Sequence, residues 1–215
     1  IQKHFKDTIH VGRKINYVSG KVNRAWIKNC VSIGLSSNFV EPLEASSIST
    51  TIKQPELQSL SIWNWTRDDT STINKYNEVV DDMMYNILDF IQLHYFTQRN
   101  DTEFWRWCKN EITVTDFNKE NLERFKKNFV SQALLPEDGT FANFRIFDCL
   151  NWIQVMHGLR MFDTVSIKAL YEKQFAHLRQ YDEAQYSTIE QTPTNGWITC
   201  REAINLITKP TVYNL

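Results

Sequence analysis

Residues 29–48 read Asn29-Cys30-Val31-Ser32-Ile33-Gly34-Leu35-Ser36-Ser37-Asn38-Phe39-Val40-Glu41-Pro42-Leu43-Glu44-Ala45-Ser46-Ser47-Ile48. Val31 and Ile33 in a short β-prone run predict a buried strand over residues 29–33, and Gly34 opens a turn that lasts to Phe39. Glu41-Pro42-Leu43-Glu44 then reads as the opening of a helix, because a proline at the first helical position gives up an N–H that has no partner there anyway. The unit is strand, glycine turn and helix start. A glycine turn lets backbone approach a flat ligand, and the free N–H groups of a helix start favour an anion. Two converging amides, those of Ser46 and Ser47, would suit a small one. The same spacing has a plainer meaning: Glu44 in a first turn stabilises any helix against its macrodipole by roughly 0.3–1 kcal/mol. Spacing leaves both open.

Upstream, residues 8–11 and 14–18 look like short extended pieces punctuated by Gly12 and Gly20, the tail of a sheet whose other strands lie elsewhere. Downstream the pattern turns helical. From about Thr72, Ile73, Tyr76, Val80, Met83, Ile87, Phe90 and His94 recur at steps of three and four. Met84, Leu88, Ile91 and Tyr95 form the adjoining stripe. Shorter helices are expected over residues 101–109, 117–132, 146–159 and 165–183. A last one follows Trp197, where Thr199 and Glu202 have capping-box spacing. Residues 136–139 and 192–196 read as loops. The expected class is mainly α: a short β-containing piece over residues 1–53, then a helical lobe over 54–215.

Lys and Arg number 24 against 25 Asp and Glu, so no basic excess is available to neutralise a phosphate backbone, and nucleic acid is excluded as an expected partner. No apolar run approaches a membrane span and no signal-peptide pattern opens the chain, so a soluble, cytoplasmic protein is expected. Cys30, Cys108, Cys149 and Cys200 form no C-x-x-C pair. His4, His10, His94, His157 and His177 form neither H-x-x-x-H nor H-E-x-x-H, so no metal site is expected. Aromatic residues make up 13% of the chain, a share that could line an aromatic-ligand pocket or fill a core.

Residues 29–48 resemble the N-C-V-A-I-G-L-S-S-G-F-[VL]-E-P-L-E-S-T-[SG]-I signature of flavin-dependent tryptophan halogenases across about twenty contiguous positions. Other segments agree in order. Trp26 resembles the tryptophan of the family's lead-in, Asp89-Phe90-Ile91 with His94-Tyr95 its D-F-I-x-x-H-Y, and residues 101–105 its D-T-x-F-W. Trp152-Ile153-Gln154-Val155 with Gly158 resembles W-x-Q-V-x-x-G. The resemblance covers residues 11–163 and is looser beyond. It implies that the β-containing piece is the remnant of a FAD-binding, flavin monooxygenase-like α/β domain. In that family reduced flavin (FADH2) and dioxygen oxidise a halide to hypohalous acid, which halogenates an aromatic ring. Carried over by position, Glu44 is the catalytic glutamate and Ser46 and Ser47 are the halide-contacting pair. Leu35 and Ile48, with Gly34 at the turn, are placed against the flavin. Implied companions are FAD, a halide (chloride, bromide or iodide), a small aromatic substrate and a separate flavin reductase. A homo-oligomer is compatible with the resemblance.

The departures also carry meaning. The family's catalytic lysine, its G-x-G-x-x-G motif and its W-x-W-x-I-P motif all precede the signature and are absent from these residues. The chain is therefore expected to lack the amino-terminal flavin-binding portion. Trp63-Asn64-Trp65 lies after the signature without Ile-Pro and is read as an aromatic pair packing on a helix. Ala45-Ser46-Ser47 stands where many members have Ser-Thr-Gly or Ser-Thr-Ser. Members that take free tryptophan carry an acid near the W-x-Q-V region. The corresponding residues 140–147 here hold none, so Phe144, Ile146 and Phe147 are read as an apolar wall for an indole- or phenol-like ring rather than for an amino acid. Three rival readings stand beside this one. They are another flavin-dependent monooxygenase, a non-catalytic helical binding module, and a hydrolase with its nucleophile at Ser36 and partners at Asp163 and His177. The hydrolase needs a parallel sheet that the alternation of elements does not supply.

Overall fold

The computed structural model describes residues 12–13, 16–63, 65–66, 70–128, 130, 144–179 and 183. The chain divides into two compact units, Ile1–Thr164 and Val165–Leu215. The described part is mainly helical.

The first unit is organised around α2, Thr70–Leu93, a 24-residue helix free of glycine and proline whose apolar stripe runs through Tyr76, Val80, Met83, Ile87 and Phe90, all buried. It ends at Leu93. The N–H groups of His94, Tyr95 and Phe96 turn back to Ile91, Gln92 and Leu93 at 3.1, 3.0 and 3.2 Å, so His94 lies just past the helix rather than on its stripe. Before α2 comes α1, Ser46–Trp63, which buries Leu57 and the polar Thr50 and Gln54 and tolerates Pro55 in its interior. This helix passes unbroken through residues 53 and 54, so the division expected there is not a break in its backbone.

The strands are short. β1 (Gly20–Lys21) pairs antiparallel with β4 (Asn38–Phe39), and β2 (Trp26–Ile27) pairs antiparallel with β3 (Cys30–Val31). The buried strand expected over residues 29–33 shrinks to β3, whose Cys30 is exposed. Its backbone partner is the neighbouring β2 in a tight hairpin, with Lys28 at φ 52°. Residues 16–19 form no strand, and residues 8–11 lie outside the described residues.

Three side-chain amides on α2 attach the irregular segments to it. Asn77 accepts from the Trp26 N–H at 2.9 Å and donates to the Trp26 carbonyl at 2.9 Å, standing in for a neighbouring strand. Asn86 accepts from the N–H groups of Ile146 and Phe147 at 3.1 and 2.9 Å and donates to the Phe147 carbonyl at 3.0 Å. Gln92 donates to the Thr113 carbonyl at 2.7 Å and accepts from the Thr115 N–H at 2.9 Å. Loop backbone can enter a core only when its polar groups are paired, and these amides pair it. Burial lifts the Asp89 carboxyl above the usual carboxylate range, opposed by a hydrogen bond with Thr115 and by the field of Arg145.

The remaining helices start where capping residues allow. α3 (Glu103–Asn110) is capped by Thr102, α4 (Asp116–Lys127) by Thr115 and α5 (Cys149–Gly158) by Asp148. Asp148 accepts from the Leu150 and Asn151 N–H groups while Asn151 returns a hydrogen bond to its N–H. The starts expected at 101 and 146 were thus too early and that at 117 one residue late. Trp152, fully buried, sits among Phe90, Phe117 and Phe125 with ring centroids 5.6–5.9 Å apart. Trp26 packs on Tyr76 at 5.4 Å and on Trp65 at 5.9 Å, whereas Trp63 is exposed, so the expected Trp63–Trp65 pair does not form.

In the second unit α6 (Thr164–Gln174) gives way to a short 3-10 turn over Ala176–Leu178, and Arg179 pairs with Glu172. The single helix expected over 165–183 is therefore interrupted. The helix expected after Trp197 and both expected loops at 136–139 and 192–196 lie outside the described residues. No described helix is long and apolar enough to cross a membrane.

Candidate active site

Pro42 adopts φ −67° and ψ −16°, as a first helical residue would, but the α-helix does not follow. Leu43–Ala45 make a short 3-10 turn in which Glu44 has φ 62° and Ala45 φ 49°, and α1 begins only at Ser46. Glu44 is thus not a first-turn acid of α1. It occupies a left-handed kink ahead of the helix, which costs a non-glycine residue roughly 1–2 kcal/mol at each such position.

That cost is offset by a clasp to the end of α2. The Tyr95 hydroxyl donates to Glu41 Oε1 at 2.6 Å, His94 Nε2 lies 2.9 Å from Glu44 Oε1, and the Ala45 N–H reaches the Pro42 carbonyl at 3.1 Å. His94 Nδ1 is in turn 2.9 Å from the Phe90 carbonyl oxygen. Burial, with the Glu41 hydrogen bond and charge added, pushes the Tyr95 hydroxyl well above the ordinary phenol range, so it remains a donor to Glu41. Glu44 keeps part of its carboxylate open to solvent, at 40% side-chain exposure against 20% for His94.

Ala45, the residue ahead of α1, has no side-chain acceptor to offer as a cap, and the N–H groups of Ser46, Ser47 and Ile48 precede the helix's own ladder of hydrogen bonds. The Ser46 side chain is buried and Ser47 half-buried. The Ser47 carbonyl accepts from the hydroxyls of Thr50 and Thr51 at 3.0 and 2.7 Å.

Gly34 and Leu35 lie in a 3-10 turn packed on α1. Gly34 is buried at φ +60°, and a Cβ there would come 2.4 Å from Thr51 Oγ1, so the close approach that demands glycine is to α1 itself. Its N–H donates to Gln54 Oε1 at 2.6 Å, and Gln54 Nε2 donates to Ser37 Oγ at 2.8 Å. Leu35 and Ile48 are instead exposed, as is Ile52, leaving apolar surface beside the kink that would suit a flat ring. Gly34→Ala is expected to lower stability by about 2 kcal/mol through left-handed strain and overpacking. Adding Thr51→Ala should return about half of that in a denaturant titration, because the clash goes and the strain stays.

The residues expected to line a substrate wall fall largely into the core. Phe147 is buried and stacked on Phe90 at 4.0 Å, Phe144 is buried, and Ile146 is half-buried. A cavity of about 540 Å³ beside Tyr95 and Phe96 is lined also by Lys109, Lys126 and Arg160, but by neither Glu44 nor Ser46 and Ser47. Ser36, the rival nucleophile, spends its hydroxyl inside its own turn, accepting from the Ile33 N–H at 3.0 Å and donating to the Ile33 carbonyl at 2.8 Å. Among the described residues no sheet has parallel strands, which that chemistry needs. Sequence spacing missed the partners of Glu44. The matched His94-Tyr95 doublet carried the signal, but His94 had been placed on the apolar stripe.

The family model described as tryptophan halogenase matches residues 2–203. The tryptophan 6-halogenase ThaL of Streptomyces albogriseolus is 32% identical over 139 residues, covering 62% of this chain and 26% of that protein. The tryptophan 7-halogenase RebH of Lentzea aerocolonigenes is 32% identical over 134 residues, covering 61% and 25%. The solved structure of BrvH, a flavin-dependent halogenase from Brevundimonas sp. BAL3, superposes with a TM-score of 0.64 at 27% identity over 81% of this chain and 35% of that one. The chain spans about a quarter of the length of the curated relatives it matches.

Proposed function

The chain belongs to the tryptophan halogenase family, and from that membership we propose that it supplies the halide-holding and acid-bearing part of a FADH2-dependent halogenase. The substrate proposed is an electron-rich aromatic ring, indole- or phenol-like, and not free tryptophan, because residues 140–147 offer no carboxylate to an amino group. What supports the reading is the turn at residues 44–47, where the partly open carboxylate of Glu44 stands two residues ahead of Ser46, at the amino-terminal end of α1.

Reduced flavin, when bound, would with dioxygen supply the oxidation of halide to hypohalous acid. This chain's own residues would do the rest. Leu35 and Ile48 would give apolar contact to one face of the flavin, with Gly34 holding the turn close to α1. The N–H groups of Ser46 and Ser47 would hold chloride, bromide or iodide. Glu44 would orient the halogenating species and accept the proton that leaves the ring. Ile146 retains some open surface for a substrate wall, while Phe144 and Phe147 would support it from the core. Residues 1–53 would belong functionally to the FAD-binding domain and residues 54–215 to the pocket lobe. The catalytic lysine and the dinucleotide motif would come from an amino-terminal flavin-binding portion, and reduced flavin from a separate reductase in the cytoplasm.

The test is product mass spectrometry on a protein that includes the flavin-binding portion, supplied with reductase, dioxygen and the three halides in competition. A halogenated ring whose formation requires halide is expected. A hydroxylated ring formed without halide would replace this reading by another flavin-dependent monooxygenase.

A further inference from the structure

We infer that His94 is a positioning residue for Glu44: held through Nδ1 by the Phe90 carbonyl, it uses its Nε2–H to occupy Oε1 of the glutamate and leaves Oε2 as the one oxygen free to act. The inference rests on the role given to Glu44 above.

The geometry fixes the ring's hydrogens. The Phe90 carbonyl oxygen can only accept, so at 2.9 Å the facing Nδ1 carries hydrogen. Nε2 then faces Glu44 Oε1 at 2.9 Å, a second acceptor. A neutral ring with hydrogen on Nδ1 would turn a lone pair toward a carboxylate, which repels. A contact at this distance needs a proton between the two groups. That hydrogen bond engages Oε1 and leaves Oε2 bare.

The ring has little freedom to do anything else. His94 lies in the tightened turn after α2, its N–H bonded to the Ile91 carbonyl at 3.1 Å, and its ring meets Phe90 edge to face at 5.0 Å. Glu44 lacks comparable support from its own backbone, which is in the left-handed region. Tyr95 fixes the preceding Glu41, so the turn has a second strut that does not touch the Glu44 carboxylate. His94 faces Glu44 from the turn, and the neighbouring Tyr95 faces Glu41.

In the halogenation step the carbon–hydrogen bond of the halogenated ring carbon breaks, its electron pair restores the aromatic ring, and the proton goes to Oε2 of Glu44 and from there to water. His94 gains and loses nothing in this step. It determines where Oε2 points. Misplacing a reacting group by about 1 Å can cost on the order of 100-fold in rate, so a loss of about 30-fold is expected when the support goes.

The experiment compares His94→Ala, His94→Gln and Glu44→Gln in the protein with its flavin-binding portion, measuring kcat, KM and flavin affinity. His94→Ala should lose about 30-fold in kcat with KM and flavin affinity within about twofold. His94→Gln, whose amide donates without titrating, should recover about half of that loss on a logarithmic scale. That rescue at an unchanged KM is what a merely structural role for the ring would not give. A His94→Ala variant within twofold of parental kcat, or a His94→Gln variant no more active than His94→Ala, overturns the inference. Inactive Glu44→Gln beside fully active His94 variants removes the role of His94 alone. Fully active Glu44→Gln removes the glutamate reading beneath it.

Discussion

Glu44→Gln is expected to lower halogenation by about 100-fold or more while reduced flavin binds as tightly as before, a loss in the range that removal of a positioned general base produces. The two side chains have nearly the same shape. An amide oxygen at the position of Oε1 still accepts from His94 Nε2 at 2.9 Å, so the clasp to the end of α2 can persist and the kink at φ 62° is retained. What disappears is the negative charge and the capacity to take a proton, since an amide does neither at neutral pH. Leu35 and Ile48, the apolar surface assigned to flavin, are not altered by the change. Product formation measured beside flavin affinity separates these effects, and parental halogenation by the variant would defeat the role given to Glu44.

The kink also explains how far sequence could reach. Pro42 obeys the rule for a first helical residue, and its backbone angles comply. Two left-handed non-glycine residues then intervene, which no propensity would choose. They are stabilised by His94 and Tyr95, some fifty residues away in sequence, and local patterning has no access to such partners. α2 was legible because nine buried apolar positions on an uninterrupted helix leave a strong period. The helix starts at Glu103 and Cys149 were misplaced by two and three residues, because the apolar pattern extends past the caps Thr102 and Asp148. The residues proposed to hold halide were chosen by resemblance rather than by spacing, which left a first-turn acid equally acceptable. Least legible were the buried amides. Asn77, Asn86 and Gln92 count as polar in any periodicity and are therefore assigned to the solvent face, yet all are buried because loop backbone comes to them.

Asn86 is where that blindness carries the largest energetic consequence. Replacing it with leucine, which has the same number and branching of side-chain heavy atoms, removes no apolar contact but strands the N–H groups of Ile146 and Phe147 and the Phe147 carbonyl. Each buried group left unpaired costs about 1–3 kcal/mol, so a loss of about 4 kcal/mol is expected. That is a large share of the total stability of an ordinary domain. The segment concerned precedes the Asp148 cap and carries Phe147 onto Phe90, so its release would also loosen the packing around Trp152. Asn86→Asp separates the contributions: the carboxylate can still accept from both N–H groups but turns an oxygen, not an amide, toward the Phe147 carbonyl. It also adds charge near Asp82 and Asp89, which line the same cavity as Asn86 and whose carboxyls burial already lifts above the usual range. Both carboxyls are harder to ionise when folded than when unfolded, so they oppose folding increasingly as pH rises through the unfolded value, and the added acid should deepen that trend. Asn86→Asp should therefore be closest to the parent in acid and fall away toward neutral pH, whereas Asn86→Leu should be destabilised by a similar amount throughout. Denaturant titrations across that pH range read both, and a leucine variant within 1 kcal/mol of the parent would show that these amides are not what holds the loop in the core.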